Sequence, residues 1–280
     1  QIDPVLSFPA HGETAASSHQ AFHLKFTSEV RAGTGKVYVM EQCTVSTFGS
    51  YDADGTTTFA TFDVNQGLDP AKDAGVYFGY DSVAVYPARN SRHAAMGSTA
   101  GCEYWLELEA GSLLEVDGNP LGYFSTRGFQ AFIVDTDSGE TLPPRLLFAT
   151  NVDGSPIVTG FFSETINSAG TGDFEVLKCT DFALVGCTEI TGLSFAHNSL
   201  GYIYSTTTIG AGDLDSATYL LRAKTSVDDL NGNAADIEHT SNSVTLVRSG
   251  HVADWIAEVQ IWSSVRAAAD ILTYANRELD

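Results

Sequence analysis

The stretch Phe26-Thr-Ser-Glu-Val-Arg-Ala-Gly-Thr-Gly-Lys-Val-Tyr-Val39 occurs again, with small changes, as Phe162-Ser-Glu-Thr-Ile-Asn-Ser-Ala-Gly-Thr-Gly-Asp-Phe-Glu-Val176. Both copies place the turn sequence Ala-Gly-Thr-Gly between two strand patterns, and a cysteine follows each copy, Cys43 after the first and Cys179 after the second. Such internal similarity indicates that one structural unit is written twice in the chain. The repeated stretch decides the fold class, because each copy predicts β-strands.

A second pair of related segments closes the two copies. Tyr104-Trp-Leu-Glu-Leu-Glu-Ala-Gly-Ser-Leu-Leu-Glu-Val-Asp-Gly-Asn119 and Tyr219-Leu-Leu-Arg-Ala-Lys-Thr-Ser-Val-Asp-Asp-Leu-Asn-Gly-Asn233 each run from an alternating strand into an Asx-Gly-Asn turn. Asp, Asn and Gly tolerate the positive φ of tight turns, so the turn chemistry agrees with the strand pattern. Because the opening and closing segments recur in the same order, the sequence predicts two complete β units.

The predicted architecture is all-β, with two tandem β-sandwiches followed by a short strand and a C-terminal helix. The first sandwich spans residues 1–142, the second 143–248, and the strand-helix segment 249–280. Two successive prolines, Pro143 and Pro144, stiffen the joint between the units. Short strands separated by regular turn signals are typical of a sandwich. In the first unit the predicted strands include Phe22–Phe26, Lys36–Met40, Thr57–Phe62, Val83–Tyr86, Tyr104–Leu108 and Phe129–Val134, and Gly33–Gly35 is interpreted as a hairpin turn.

The charge of the chain restricts its partners. The 280 residues include 35 acidic and 14 basic side chains, for a formal net charge of −21. This charge repels phosphate backbones and anionic lipid surfaces, so no nucleic-acid partner is expected. No run approaches the ~20 apolar residues of a membrane helix, so no membrane insertion is expected either. The acidic excess suits solubility, a salty medium or divalent cations, and composition does not choose among them.

Four cysteines allow three disulfide pairings, and none of the four stands in a spacing typical of zinc sites. Pairing inside each unit joins Cys43 to Cys102 and Cys179 to Cys187, which is the arrangement we expect. On the chain-entropy model, closing the longer loop stabilises the first unit by about 4 kcal/mol. Disulfides indicate an extracellular or cell-surface protein, whereas buried free thiols would fit a reducing compartment.

The two units resemble the bacterial-type immunoglobulin-like domains of S-layer proteins, adhesins and other large surface proteins. The resemblance rests on the Pro-x-x-Gly opening at Pro9–Gly12, the strand ends at Phe26–Glu29 and Phe162–Glu164, and the Gly-Asn closing turns. Both copies depart from the family pattern through insertions, at 44–100 and at 180–215. The resemblance implies a spacer or binding module without an active site common to the family.

The C-terminal stretch from Glu258 to Leu279 is similar to the closing strand and helix of laminin-G or concanavalin-like domains. The second unit already occupies the preceding chain, so the carbohydrate-binding surface of those domains is not carried over. Alternation over 255–262 predicts a strand that docks on its own second unit or on the next molecule. The candidate interface residues are Trp255, Ile256, Val259, Ile261 and Trp262.

Calcium is the ligand that the acidic loops favour, because hard cations take several oxygens from such segments. The candidate metal ligands are Asp52, Asp54, Asp135, Asp137, Asp213, Asp215, Asp228 and Asp229, with Asn231 beside the last pair. None of these loops carries the full twelve-residue pattern that ends in Glu. Asp and Asn are also ordinary turn residues, so a turn role stays open at each position, and no other cofactor is expected.

The sequence predicts no catalytic site. Gly192-Leu-Ser-Phe-Ala196 comes closest to a serine-hydrolase elbow and lacks the second glycine. Glu107 and Glu109 have the residue types of a glycosidase pair, but alternation with Leu106 and Leu108 explains them as the solvent-facing side of a strand. We therefore expect a protein that is not an enzyme.

These observations predict an extracellular structural or adhesive module. It would be a building block of a surface layer or filament that self-associates, or binds other surface proteins, through strand edges and the C-terminal segment. The alternative is a carbohydrate-binding accessory module of a secreted protein, with glycans as partners. The aromatic residues considered for sugar stacking are Tyr51, Tyr80, Trp105 and Tyr202.

Overall fold

The fold is described from a computed structural model of the chain. The residues that the structure describes are 7–14, 16–43, 56–66, 75–79, 81–87, 96, 102–134, 140–151, 158–167, 173–179, 186–197, 202–205, 218–223, 227–235 and 243–248. Their regular structure is almost entirely β, in several sheets, as the sequence predicts. Within these ranges we find no helix of the length and apolar character that crossing a bilayer requires. The predicted strand and helix of segment 249–280 lie outside the described residues.

In the N-terminal part, defined as residues 7–134, the described strands form three sheets. Its strands are β1 (Phe22–Lys25), β2 (Val30–Ala32), β3 (Lys36–Gln42), β4 (Thr56–Asp63), β5 (Gly75–Phe78), β6 (Ser82–Tyr86), β7 (Glu103–Leu108), β8 (Leu113–Glu115), β9 (Phe124–Ser125) and β10 (Phe132–Ile133), with a 3₁₀ turn at Val64–Gln66. The sheet orders are β1-β6-β5, β10-β7-β3-β4 with β9 also on β7, and β2-β8. All these strand pairs are antiparallel.

Alternating side chains of the two larger sheets form the N-terminal core. Val37 and Val39 of β3, Leu106 and Leu108 of β7 and Phe22 of β1 are fully buried in one cluster. Successive side chains of a strand point to opposite faces, so each sheet contributes one face to this cluster. The two sheets therefore pack against each other across a shared apolar layer.

In the C-terminal part, residues 140–248, the described strands form one sheet with the order β14-β13-β17-β18-β11-β12-β16-β15. Its strands are β11 (Leu146–Asn151), β12 (Val158–Phe162), β13 (Phe174–Cys179), β14 (Thr188–Glu189), β15 (Phe195–His197), β16 (Tyr202–Ser205), β17 (Thr218–Ala223) and β18 (Ser243–Arg248). A short parallel pairing between β11 and β18 joins its two antiparallel halves. Leu146 and Phe162 from one half and Phe174, Val176 and Leu221 from the other share a buried cluster.

The two parts meet through strands that are buried on both faces. In β6, Val83 and Val85 belong to the N-terminal core, while Ala84 and Tyr86 belong to a third cluster. In β12, Phe161 belongs to that third cluster, which also includes Leu147 and Phe148 of β11, whereas Phe162 belongs to the C-terminal core. A buried apolar layer thus connects the parts, in addition to the proline joint that the sequence indicates, and the division at 142/143 stays a prediction.

The hairpin predicted at Gly33–Gly35 is wrong. Among the described pairings, β2 pairs with β8 and β3 pairs with β4 and β7, so the strands on either side of this turn lie in different sheets. The turn packs on the turn before β8 instead, where Thr34 N donates to Gly111 O and Gly33 N donates to Ser112 O, both at 2.9 Å. A glycine is needed here because a Cβ on Gly33 would lie 2.1 Å from Gly111 O.

Two further differences concern strand limits. The strand predicted over Phe129–Val134 is limited to β10, because Phe129 N and Gln130 N both donate to Thr126 O and form a turn there. Strand β5 was not among the strands predicted from the sequence. The other five predicted strands of the first unit correspond to β1, β3, β4, β6 and β7.

Candidate functional site

Both disulfides form with the pairing that the sequence predicts, Cys43 with Cys102 and Cys179 with Cys187. Cys43 follows β3 and Cys102 precedes β7, and these strands are antiparallel neighbours whose register ends at this point. Cys179 ends β13 and Cys187 precedes β14, its antiparallel neighbour. Strand register therefore brings each pair together, across a sequence separation of 59 for the first and 8 for the second.

Most of the predicted ligand and interface residues fall outside the described ranges. These are Asp52, Asp54, Asp135, Asp137, Asp213, Asp215, Trp255, Ile256, Val259, Ile261 and Trp262, and the aromatic residues Tyr51 and Tyr80. Asp228 and Asp229 are described, and Asp229 belongs to a cluster of acidic side chains.

That cluster is formed by Glu140, Glu164 and Asp229, and we name it the carboxylate triad. One carboxylate oxygen from each residue lies within 4.8 Å of the others. The exposed fractions are 6% for Glu140, 2% for Glu164 and 1% for Asp229. Glu140 precedes β11, Glu164 follows β12 and Asp229 lies between β17 and β18, so the fold assembles the triad from three distant segments.

Asp229 also organises the closing turn of the C-terminal part. Its Oδ1 accepts the N–H groups of Asn231 and Asn233 at 2.8 Å each, and its Oδ2 accepts from Asn233 Nδ2 at 2.7 Å. Gly232 adopts a φ of 86°, which the turn requires and glycine supplies without strain. The turn role predicted for this Asp and its place in the triad are therefore compatible.

Glu140 is held on one side only. Its Oε2 accepts from Asn231 Nδ2 at 2.6 Å and from Asn233 Nδ2 at 3.4 Å, whereas Oε1 is buried and has no hydrogen-bond partner. Burial raises the pKa of the Glu140 carboxyl above its ordinary value; the hydrogen bond from Asn231 opposes this rise and the charge of Asp229 adds to it. Glu140 thus keeps one buried carboxylate oxygen with unused acceptor capacity.

The related segments of the N-terminal part also contain an acidic turn and a glutamate, but among the described residues these do not form a cluster of three carboxylates. In this copy Glu115 takes the place of Asp229 and is half-buried, while the exposed Asp117 holds the turn through its Oδ1, which accepts from Asn119 N at 3.1 Å. Glu29, which corresponds to Glu164 in the repeated stretch, pairs with Arg31 Nε at 2.6 Å. The repeat therefore reproduces the turn in both parts, while only the C-terminal copy buries its acidic residue beside other carboxylates.

The triad does not suit hydrolytic chemistry. Glycosidases place two carboxyl groups on either side of a bound sugar, which requires an open cleft. All three side chains of the triad are almost completely buried, so no face is left for a substrate of that size. The arrangement instead suits a proton shared between carboxylates or a cation bound among them.

Two other candidate groups have structural explanations. Glu109, considered in a glycosidase pair with Glu107, accepts from Lys36 N at 3.0 Å and from the Tyr38 hydroxyl, and so fixes the end of β7 to β3. Glu41 lies near Cys43 and its disulfide partner, whose sulfurs are oxidised and therefore offer no thiolate to a metal.

The sugar-stacking role considered for Trp105 is wrong. Trp105 is 1% exposed, and the Arg127 guanidinium carbon lies 4.1 Å from its ring centroid. Arg127 is held there by Glu103 at 3.2 Å and by Gln42, so this side chain covers the ring. Only the backbone of Tyr202 is described, as the first residue of β16.

Strand β4 forms an edge of its sheet. Among the described strands it pairs with β3 alone, so the backbone groups on its other side have no strand partner in these ranges. It is eight residues long, and Thr57, Thr58, Thr61 and Asp63 are exposed. Its pairing with β3 is irregular at Phe59, which has no partner because Val39 pairs with Ala60 and Met40 pairs with Thr58.

No protein-family model matches the chain, and no curated protein matches it. Among solved structures, the chain is similar to a chimeric titin Z1Z2-Z1Z2 tandem functionalized with a GRGDS exogenous peptide from fibronectin. The identity is 12% and the TM-score 0.21, over 89% of this chain and 100% of that chain. A likeness at this TM-score carries no argument about fold or function.

Proposed function

We propose that this protein is a non-enzymatic structural or adhesive module of an extracellular assembly, built from two immunoglobulin-like β units. It acts as a building block that joins its neighbours through strand edges. The observation that carries the proposal is the edge strand β4, which pairs with a single neighbour among the described strands.

An edge strand is a template for another chain, because its outer N–H and C=O groups can pair with an added strand. Natural proteins blunt such edges with lysines, prolines or very short strands. The sequence Thr-Thr-Thr-Phe-Ala-Thr-Phe-Asp of β4 contains no lysine and no proline, and the strand is eight residues long. These properties favour pairing with a partner strand.

The contact between the two parts supports a role as a building block. The rings of Phe148 and Phe161 stack with centroids 4.8 Å apart, and the Tyr77 ring lies 5.3 Å from Phe161. Ala21 N donates to Ser163 O at 2.7 Å, which adds a directional bond between the parts. A joint with buried apolar and hydrogen-bonded contacts restricts relative motion, as a spacer requires.

The disulfides support a location outside the reducing cytosol. Both bonds join neighbouring strands, so they stabilise the strand framework rather than an exposed reactive loop. This fits a secreted or cell-surface protein.

The proposed partner for the edge is a second copy of the chain or another surface protein. The apolar segment 255–262, with Trp255 and Trp262 at its ends, is the proposed donor strand. Its alternation suits insertion beside a sheet edge, where one face packs on the sheet.

Sedimentation velocity over a concentration series tests the proposal with two variants of the chain. Thr57→Lys/Thr61→Lys places two charges at exposed positions of β4, one on each face of the sheet, and a second variant deletes residues 251–280. We expect the wild-type protein to form concentration-dependent oligomers and both variants to remain at the smallest species, with melting temperatures close to that of the wild type.

The matched control is Ala110→Lys/Gly122→Lys, which adds the same charge at two exposed positions away from β4. This variant should assemble as the wild type does. A wild-type protein that stays monomeric at every concentration contradicts the proposal. If both variants form the same oligomers as the wild type, neither the β4 edge nor the C-terminal segment is the contact.

A further inference from the structure

We propose that the carboxylate triad of Glu140, Glu164 and Asp229 binds a calcium ion that ties the start of the C-terminal part to the sheet that follows it. The inference concerns a buried site and is independent of the assembly proposed above.

The geometry of the triad matches a hard cation. Calcium takes oxygen ligands at about 2.4 Å, so two oxygens bound to one ion lie at most about 4.8 Å apart. One carboxylate oxygen from each of the three residues meets this limit with respect to both others. Three carboxylates supply three to six of the six to eight oxygens that calcium accepts.

The second observation is the buried, unpartnered oxygen of Glu140. Glu140 is 6% exposed, and its Oε1 has no hydrogen-bond partner while its Oε2 is held by Asn231. A charged acceptor that is buried and unpaired destabilises the folded state, so native proteins satisfy such groups. A cation bound through Oε1 would satisfy this oxygen without displacing the asparagine that orients the carboxylate.

The Asp229 carboxylate also has a lone pair available to bind this ion. Its Oδ1 accepts two backbone N–H groups and its Oδ2 accepts one hydrogen bond, from Asn233 Nδ2. A carboxylate oxygen has two lone pairs, so Oδ2 retains one for a cation. The turn that holds Asp229 thereby pre-orients a ligand.

Comparison with the N-terminal copy shows that the triad is not simply a result of the many acidic residues in the chain. There Glu29 is neutralised within the chain by Arg31, Glu115 takes the place of Asp229 and is only half-buried, and the acidic turn residue Asp117 is exposed. Exposed carboxylates need no bound cation, because water screens them. In the C-terminal copy three carboxylates are buried together, and a divalent ion offsets most of their charge.

Calcium fits better than magnesium. Magnesium dehydrates reluctantly and usually keeps several waters in its shell. The three side chains of the triad are at most 6% exposed, so a site that contributes mainly protein oxygens is favoured. Calcium accepts such a flexible all-protein shell.

The triad lies next to the contact between the two parts, so a bound ion would stabilise the structure at that contact. Glu164 follows Ser163, whose carbonyl oxygen accepts from Ala21 N and Gln20 Nε2 of the N-terminal part. Glu140 lies at the start of the C-terminal part, ahead of β11. An ion bound to both side chains therefore fixes the start of this part beside the contact.

Calcium titration by calorimetry, paired with thermal unfolding, tests the proposal on the full chain after removal of metal with a chelator. We expect calcium to bind the wild type and to raise its melting temperature. In Glu140→Gln and in Glu164→Gln, the affinity of one equivalent should fall about tenfold or more, because each change removes a charged ligand. Two variants at separate ligands keep the test valid if one of them folds poorly.

The control is Asp117→Asn, which neutralises an exposed acidic turn residue of the N-terminal copy. It should keep the calcium stoichiometry and melting response of the wild type. The proposal is overturned by a wild type that binds no calcium. It is equally overturned by Glu140→Gln and Glu164→Gln variants that bind as many equivalents as the wild type with equal affinity, since the ions would then lie elsewhere.

Discussion

The hydroxyl of Tyr86 in β6 donates a hydrogen bond to the carbonyl oxygen of Phe162 in β12 at 2.7 Å, and both residues are fully buried. The bond links a strand of the N-terminal part to a strand of the C-terminal part. Because each of these strands also contributes to its own core, the contact couples two apolar layers. The stability of each part should therefore depend on the other.

Replacing Tyr86 by Phe tests this coupling. The variant leaves Phe162 O buried without its donor, so we expect the free energy of unfolding to fall by about 1–2 kcal/mol. Urea denaturation measures the change. Tyr123→Phe, which removes the hydroxyl of a side chain that is 61% exposed, should stay within about 0.5 kcal/mol of the wild type. Equal effects of the two variants would contradict the coupling.

The close packing of two turns makes Gly33 sensitive to substitution. A Cβ at this position would lie 2.1 Å from Gly111 O, and the obstacle is backbone that must move. We expect Gly33→Ala to destabilise the protein by about 2–3 kcal/mol. A Cβ added at Gly122 would meet no atom within 4 Å, so Gly122→Ala should change stability by less than about 1 kcal/mol. A tolerated Gly33→Ala variant would refute the turn-on-turn arrangement.

The two disulfides close loops of different length and should differ in their contribution. On the chain-entropy model, removing Cys43–Cys102 costs about 4 kcal/mol and removing Cys179–Cys187 about 2.5 kcal/mol. Double Cys→Ala variants, compared by denaturant unfolding under non-reducing conditions, measure this difference. Peptide mapping without reductant checks the pairing first, and any peptide that joins Cys43 or Cys102 to Cys179 or Cys187 would contradict it.

Because His23 is buried, we expect the free energy of unfolding to fall in mild acid. Burial, aided by the nearby charge of Lys25, lowers the pKa of its imidazole from 6.5 to about 3. Between these values the unfolded chain binds the proton and the native protein does not, so stability falls as the pH drops below the unfolded pKa. The slope from this one group is about 1.4 kcal/mol per pH unit.

Denaturant unfolding of the wild type and of His23→Gln from pH 7 to pH 4 measures this slope. The variant should lose stability less steeply across that window than the wild type. Parallel curves for the wild type and His23→Gln would show that His23 does not govern the acid response.

The sequence predicted the local features of this fold better than the tertiary ones. Alternation placed Leu106 and Leu108 in the core, and the register of neighbouring strands realised the predicted disulfides. The predicted hairpin at Gly33–Gly35 was wrong, because a glycine turn between two strands does not reveal whether those strands pair with each other. The apolar strand sequences Ser-Val-Ala-Val-Tyr86 and Val-Thr-Gly-Phe-Phe162 carried an unused signal, since burial on both faces produces such runs.

The carboxylate triad was only partly accessible to sequence reasoning. The acidic turn identified Asp229 as a candidate ligand, whereas Glu140 stood in no acidic loop pattern and Glu164 had significance only as a strand end. A search for sequence-local loops misses ligands that three separate segments contribute. The recurrence of a glutamate at Glu29 and Glu164 in the repeated stretch was the signal that could have drawn attention to the position.

Electron microscopy of the purified full chain tests the central claim most directly. If the molecule works as a building block that joins its neighbours through sheet edges, the wild-type protein should form ordered polymers or layers at high concentration, and Thr57→Lys/Thr61→Lys should not. Fields of isolated single molecules for the wild type, at every concentration and with calcium present, would contradict it.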